Sequence, residues 1–320
     1  MHKILFTGCT FRPSEIKGLL DDGFRIISAD PNIKEKELIG QLKKVDAYIV
    51  GGKEIVNANV IKSAGKNLKL ITQFGVGIGT IDLQAAKSCG IIVANTPKIN
   101  SYTVAEFTVA MLMMLNKKLF QFNDEVRKGK WTPSEMYDLA GKTVGIVGMG
   151  HIGTITARLL QNGFKMKVLY NDIVFKLEAD TEFNTQNVSL DKVLRESDIV
   201  SLHVPLDNVT KNMIGKAELA KMKKHALLIN TARAEVVDAE ALYQALQKDQ
   251  IAGAAFDGFY TEPVDLKKPE SKLLDLPSEK FILTPHTGYD AYEGITRMQN
   301  MTMDNIRLVL NNKVCKNAVV

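Results

Sequence analysis

The sequence predicts an α/β protein built from two doubly wound parallel-sheet domains, and three observations carry that reading. Short apolar runs rich in β-branched residues alternate with amphipathic stretches, as parallel strands covered by helices do. The alternation fills the first hundred residues, stops at a long helical stretch, and restarts near residue 142. At the restart, TVGIVGMGHIG (143–153) has the form strand, glycine-rich turn, helix start. A chain of 320 residues with 45% hydrophobic content has the length and apolar content for two packed cores.

The strands of the first sheet are expected at KILFTG (3–8), FRIISAD (24–30), AYIVGG (47–52), LKLITQFG (68–75) and IIVANTP (91–97). The stretch SYTVAEFTVAMLMMLNKKLFQFNDEVRKGK (101–130) then reads as one long helix, apolar on more than one face, that bridges the domains and contributes to a subunit contact. Its Met111, Met113 and Met114 read as core filling. The second sheet is expected from KTVGIVG (142–148), KVLYND (167–172), DIVSLHV (198–204), ALLINT (226–231), IAGAAFD (251–257) and FILTPH (281–286). A final helix over about 291–311 has no later strand to cover, so it is expected to return to the first domain.

Charge and cysteine usage narrow the class. The net charge of +5 is spread among interleaved acids and bases, which argues against a nucleic-acid surface and leaves a mild attraction for anionic metabolites. The densest basic run, KMKKH (221–225), reads as a solvated helix end. Cys9, Cys89 and Cys315 are odd in number and far apart, which gives neither a disulfide framework nor a zinc site. MHKILFTG runs straight into a strand pattern, and no apolar run nears the ~18 residues of a membrane span. The expectation is a cytoplasmic protein without metal or membrane partner.

The glycine spacing gains weight from its place between a strand and a helix. Gly148 permits the tight turn, Gly150 lets backbone approach a pyrophosphate, and Gly153 lets helix and sheet pack closely. His151 and Ile152 supply amides at the helix N-terminus, where phosphate is favoured. Asp172 closes the next strand about 20 residues past Gly153, the position for a carboxylate that accepts from ribose hydroxyls. It would repel a 2′-phosphate, and Lys176 is the only cation nearby, so NAD is expected rather than NADP.

Three later strands end in chemistry-bearing residues: LLINTAR in Arg233, AAFDGFYTEP in Asp257 and Glu262, and ILTPHTG in His286. In open α/β sheets, ligands gather beyond the carboxyl ends of the strands. Each residue also has a plain structural reading: Arg233 as a helix cap or ion-pair partner, Glu262 before Pro263 as turn chemistry, His286 as a packed imidazole. Together they suit hydride transfer at a carbon bearing a hydroxyl. His286 would move the hydroxyl proton in either direction, Glu262 would orient the ring and favour its protonated form, and Arg233 would clamp a carboxylate and the developing carbonyl oxygen.

The order of VGIVGMGHIG, NTAR, AAFDGFYTEP and PHTG resembles that of the D-isomer-specific 2-hydroxyacid dehydrogenases, phosphoglycerate dehydrogenase among them, over essentially the whole chain. GVGIGTID (75–82) and NTPKINSYTVAE (95–106) resemble that family's first-domain signatures. The resemblance implies a Rossmann NAD-binding domain (99–290) inserted into a flavodoxin-like substrate or lid domain (1–98 and 291–320), which explains why the dinucleotide fingerprint comes mid-chain. It implies Arg233, Glu262 and His286 as the catalytic trio, with an NAD site lined by Gly148, Gly150, His151, Ile152, Gly153, Asp172, Val204, Pro205, Thr231, Ala232, Arg233, Asp257, His286 and Gly288. The substrate, a small anionic 2-hydroxy or 2-oxo acid, would be held by the backbone of Val76 and Gly77, by Arg233 and His286, and by Lys53. Lid closure that excludes water and a homodimer are further implications of the resemblance.

The chain departs from the family pattern in places. Ala234 and Glu235 follow Arg233 where Gly is usual, and Gln73 and Phe74 stand where phosphoglycerate enzymes often carry Arg before the early glycine loop. Gly51, Gly52 and Lys53 replace a further Arg of those enzymes, so a substrate phosphate site is not demonstrated. Two other readings remain open at this stage: action on another small anion such as phosphite, and an NAD-sensing binding protein of the corepressor kind.

Overall fold

The computed structural model describes residues 1–8, 13–51 and 54–320. These form two compact units, Met1–Asn100 with Ala291–Val320, and Ser101–Asp290.

In the first unit, β1 (Lys3–Thr7), α1 (Pro13–Asp21), β2 (Arg25–Ala29), α2 (Glu35–Leu42), β3 (Ala47–Val50), α3 (Ala58–Lys62), β4 (Leu70–Gln73), α4 (Leu83–Ser88) and β5 (Ile92–Ala94) alternate. The strands pair in parallel in the order β2-β1-β3-β4-β5, the flavodoxin-like winding. Neighbouring residues of one strand serve opposite faces: Leu5, Val50, Ile71 and Val93 share a core with residues of α2, α3 and α4, whereas Ile4, Ile49 and Leu70 share one with Met303 and Ile306 of the last helix, Tyr292–Leu310. Both faces being covered explains why β3 and β4 are buried at every residue, and why β3, AYIV, is an apolar run in place of an alternation. Each such aliphatic side chain contributes about 1.5–3 kcal/mol of burial free energy. The last helix thus packs within this unit. Beyond it, Ala318 bridges antiparallel to Ala94, with Val319 N–H donating to Val93 O at 2.7 Å and Val93 N–H to Val320 O at 3.1 Å. Residues 317–320 therefore run along the open edge of β5.

The second unit opens with α5 (Ser101–Asn116) and α6 (Leu119–Arg127), followed by β6 (Thr143–Val147), α7 (His151–Phe164), β7 (Lys167–Asn171), β8 (Ile199–Leu202), β9 (Leu227–Asn230), β10 (Gly253–Asp257) and β11 (Phe281–Thr284). All six strands are parallel in the order β11-β10-β9-β8-β6-β7, which reverses direction at β6. Asn187 makes a single parallel bridge to Tyr170 on the free side of β7, where a Rossmann sheet carries one more strand. One face packs Val200, Leu228 and Phe256 against Leu242 and Leu246; the other packs Ile146, Ile229 and Ile282 against Met111, Leu112 and Leu115 of α5.

The stretch 101–130 corrects the expectation of one continuous helix. The chain breaks at Lys118, which takes a left-handed φ of 51°, and α6 buries none of its residues whereas α5 is buried along most of its length. Asn116 Nδ2 and Lys117 Nζ both donate to Tyr137 O, at 2.8 and 2.7 Å, and fasten the returning chain at the break. The apolar spacing carried no sign of this, because neither Gly nor Pro stands there. Met111 is fully buried and Met113 and Met114 pack against the same core. Among the described residues, no helix is long and apolar enough to cross a membrane.

Candidate active site

The turn from β6 into α7 sits at the point where the strand order reverses, the usual crevice for a ligand in such a sheet. Gly148 has φ 94°, and a Cβ there would stand 2.7 Å from the His203 carbonyl oxygen. A Cβ on Gly153 would collide with the Gly148 carbonyl oxygen and lie 3.0 Å from Ile146. At Gly150 a Cβ would meet nothing within 4 Å. The first and third glycines thus serve the fold, whereas the second faces open space, as a cradle for a pyrophosphate requires. His151 and Ile152 open α7, where first-turn amides lack partners within the helix.

Asp172 follows β7. Its Oδ2 accepts from Met149 N and its Oδ1 from Val174 N, both at 2.8 Å, so the carboxylate is fixed beside the glycine turn with a lone pair left on each oxygen for ribose hydroxyls. Asn187 Nδ2 donates to Asp172 O and Asn187 Oδ1 accepts from Asp172 N. Val204 follows β8 and packs where Gly148 has no side chain, and Pro205 O accepts from Thr210 Oγ1 at 2.6 Å. The neighbouring His203 bonds Ser201 Oγ at 2.9 Å, and desolvation pushes its pKa down to about 4, so it is a neutral structural imidazole.

The loop after β9 is folded by Asn230, which is fully buried: its Oδ1 accepts from Ala232 N at 3.0 Å and its Nδ2 donates to Arg233 O at 2.8 Å. Thr231 and Thr108 share a hydroxyl bond of 2.8 Å. Arg233 Nη1 donates to Ala232 O at 2.7 Å, which leaves the Nε–Nη2 edge of the exposed guanidinium for a planar anion. Ala234 is buried, so the methyl group that replaces the usual Gly is accommodated by the core.

His286 stands two residues past β11 with a left-handed φ of 55°. Both oxygens of Glu262 lie 3.1 Å from its Nδ1, and Glu262 Oε1 also accepts from Phe259 N at 2.9 Å. With Nδ1 bonded to a carboxylate, Nε2 is the ring nitrogen that carries or accepts a mobile proton. The His286 hydrogen bond holds the Glu262 carboxyl below the usual carboxylate range; the Phe259 amide and the charges of His286 and Arg233 add to this, and burial opposes it. Arg233, Glu262 and His286 meet, with Ala232, Asp257 and Tyr260, around one cavity of about 230 Å³.

Two supporting residues were not legible as such in the sequence. Asp257, expected among the NAD contacts, has its carboxylate occupied by Thr284 Oγ1 at 2.7 Å, Thr287 N at 2.9 Å and Gly288 N at 2.7 Å, so it braces the loop that carries His286. At Gly258 a Cβ would lie 2.7 Å from Glu262 Oε1 and 3.2 Å from His286 Nδ1, so only glycine lets that pair form. An Asp or Asn ending a strand just before a polar loop is the signal that points to Asp257 and Asn230 as loop braces. In the first unit, Val76 and Gly77 lie exposed in the loop after β4. Lys53, expected as an anion contact, and Cys9 lie outside the described residues.

Comparison with known proteins identifies the family. Residues 109–288 match the model of the D-isomer specific 2-hydroxyacid dehydrogenase, NAD binding domain. The chain is 39% identical over 291 residues to a glyoxylate reductase of Korarchaeum cryptofilum, covering 89% of this chain and 86% of that one. It is 34% identical over 269 residues to a hydroxypyruvate reductase of Thermotoga maritima, covering 83% and 85%. Among solved structures, a D-lactate dehydrogenase of Aquifex aeolicus complexed with NAD and lactic acid superposes with a TM-score of 0.86 at 31% identity over 99% of each chain.

Proposed function

The chain belongs to the D-isomer specific 2-hydroxyacid dehydrogenase family and is an NAD-dependent enzyme of it; on that premise we propose that it interconverts a small 2-oxo acid of the glyoxylate or hydroxypyruvate kind and the corresponding 2-hydroxy acid. The observation that carries the reading is the bond from His286 Nδ1 to Glu262 inside a cavity that also holds Arg233. The names of the relatives suggest the size of the acid, since glyoxylate and hydroxypyruvate carry a carboxylate and a reactive carbonyl on at most three carbons.

Bound NAD supplies the hydride acceptor, and NADH the donor. The glycine turn with Asp172 would hold it, and the empty space beside Gly150 fits its pyrophosphate. In reduction, protonated His286 donates from Nε2 to the carbonyl oxygen as that oxygen gains electron density; in oxidation, the neutral ring takes the hydroxyl proton through the same nitrogen. Glu262 keeps Nδ1 as the bonded nitrogen and leaves Nε2 for the substrate. Arg233 offers its Nε–Nη2 edge to the carboxylate and to the oxygen under attack. The family resemblance assigns a carboxylate contact to the amides of Val76 and Gly77, which lie exposed in the first unit. The exposed Leu119, Phe120, Val126 and Trp131 support a homodimer formed through this segment of the cofactor unit.

The test is NADH oxidation with glyoxylate, hydroxypyruvate and pyruvate, run beside His286→Ala and beside NAD reduction by phosphite. The expected outcome is turnover of at least one 2-oxo acid, with kcat reduced about 10²–10⁴-fold in the variant. Wild type and variant equally inert with every acid would leave the NAD-sensing reading standing, and turnover of phosphite alone would move the substrate to a non-carbon anion.

A further inference from the structure

The loop Gly75–Gly77 carries two adjacent amides, Val76 N–H and Gly77 N–H, that have no hydrogen-bond partner among the described residues. The two carbonyls paired with them across their peptide bonds are both held. Thr96 N donates to Gly75 O at 3.0 Å, and Asn95 Nδ2 donates to Val76 O at 2.8 Å. A trans peptide is planar, so its N–H points opposite to its C=O; both peptides here are trans, because among the described residues the only cis bond is Glu262–Pro263. Pinning the carbonyls of residues 75 and 76 toward the end of β5 therefore aims the amides of residues 76 and 77 away from it, as a pair. Gly75, at φ 141°, supplies the turn that lets consecutive peptides align in this way.

One of the two pins is backbone and the other is a side chain, so the aim of Gly77 N–H depends on which residue stands at position 95. The backbone of Asn95 is itself held at both its N–H and its carbonyl. Its N–H donates to Asn317 O at 3.3 Å, and its carbonyl accepts from Asn305 Nδ2 at 3.0 Å. Asn305 is fully buried in the last helix, and its Oδ1 accepts from Asn317 Nδ2 at 2.9 Å and from Cys315 Sγ at 3.4 Å. We propose that Asn95 is a positioning residue for substrate binding, which aims the amide pair of the Gly75–Gly77 loop at the substrate carboxylate by holding the Val76 carbonyl. The inference rests on the reading that these amides bind that carboxylate.

The experiment compares wild type with Asn95→Ala and Asn95→Gln. It measures KM and kcat for hydroxypyruvate, the inhibition constant of oxamate as a non-reacting carboxylate, NADH affinity by fluorescence, and amide exchange of the 74–78 segment by mass spectrometry. Loss of one hydrogen bond that orders a donor corresponds to about tenfold. In Asn95→Ala, KM and the oxamate constant should rise together by about that factor, with kcat within about threefold, NADH affinity unchanged and exchange in 74–78 faster. Asn95→Gln retains the donor and should recover part of the loss, which a space-filling role would not produce. Unchanged KM and oxamate inhibition in a folded Asn95→Ala, or an equal loss of NADH affinity, would overturn the inference. If wild type turns over no 2-oxo acid, the functional reading fails separately, and unaltered exchange in 74–78 would still overturn the positioning role.

Discussion

Glu262 shows how much one side chain decides at the level of single residues. It accepts from Phe259 N–H and from His286 Nδ1, and its carboxyl is held below the usual range chiefly by the histidine bond. The sign follows from linkage: a carboxylate with a lowered folded value adds its stabilisation above the ordinary value of about 4.3, and loses it as pH falls through the folded value. The His286 ring is therefore held in place through the neutral range and freed only in acid. Glu262→Gln should cut kcat for 2-oxo acid reduction by roughly 10²-fold and remove the acid-side fall from the pH–rate profile, measured from pH 4 to 8 at saturating NADH. A variant profile that keeps the wild-type acid limb would mean that another group sets it. Arg233, Glu262 and His286 were legible in the sequence because strand ends collect polar chemistry in this class of sheet. Gly258 was not, since its need arises only from the side chains of residues 262 and 286 closing on it in space.

Among the elements, the β6–α7 turn separates two uses of glycine that look alike in sequence. Gly148→Ala meets the His203 backbone and a positive φ, whereas Gly150→Ala meets no protein atom. Thermal melting and NADH titration of both variants should split accordingly. Gly148→Ala should lose about 1–3 kcal/mol of stability, and Gly150→Ala should melt like wild type yet bind NADH more weakly by at least about tenfold. Equal stability loss in both would mean that Gly150 is needed by the fold rather than by the ligand. All eleven described strands lie within the runs read from the sequence, because burial on both faces writes the central ones, such as β3 and β10, as continuous apolar segments. The end of α5 was invisible for the opposite reason: Lys118 turns the chain without Gly or Pro, and the apolar spacing continues into the exposed α6.

For the whole molecule, the unit Ser101–Asp290 is entered and left once by the chain and contains its own core on both sheet faces. A protein trimmed to 101–290 should fold and bind NADH, and at a hundredfold excess of NADH over Kd its unfolding free energy should rise by about 2.7 kcal/mol, read by denaturant titration with and without the nucleotide. A fragment without cooperative unfolding would show that this core does not suffice alone. In the other unit, residues 317–320 lie antiparallel along β5 and satisfy backbone groups that the last parallel strand would otherwise leave open. That short segment guards against self-association: a sheet margin left bare invites pairing with another copy of itself, so shaving off residues 318–320 threatens solubility, and a cut that also takes Asn317 removes a bond that holds Asn95.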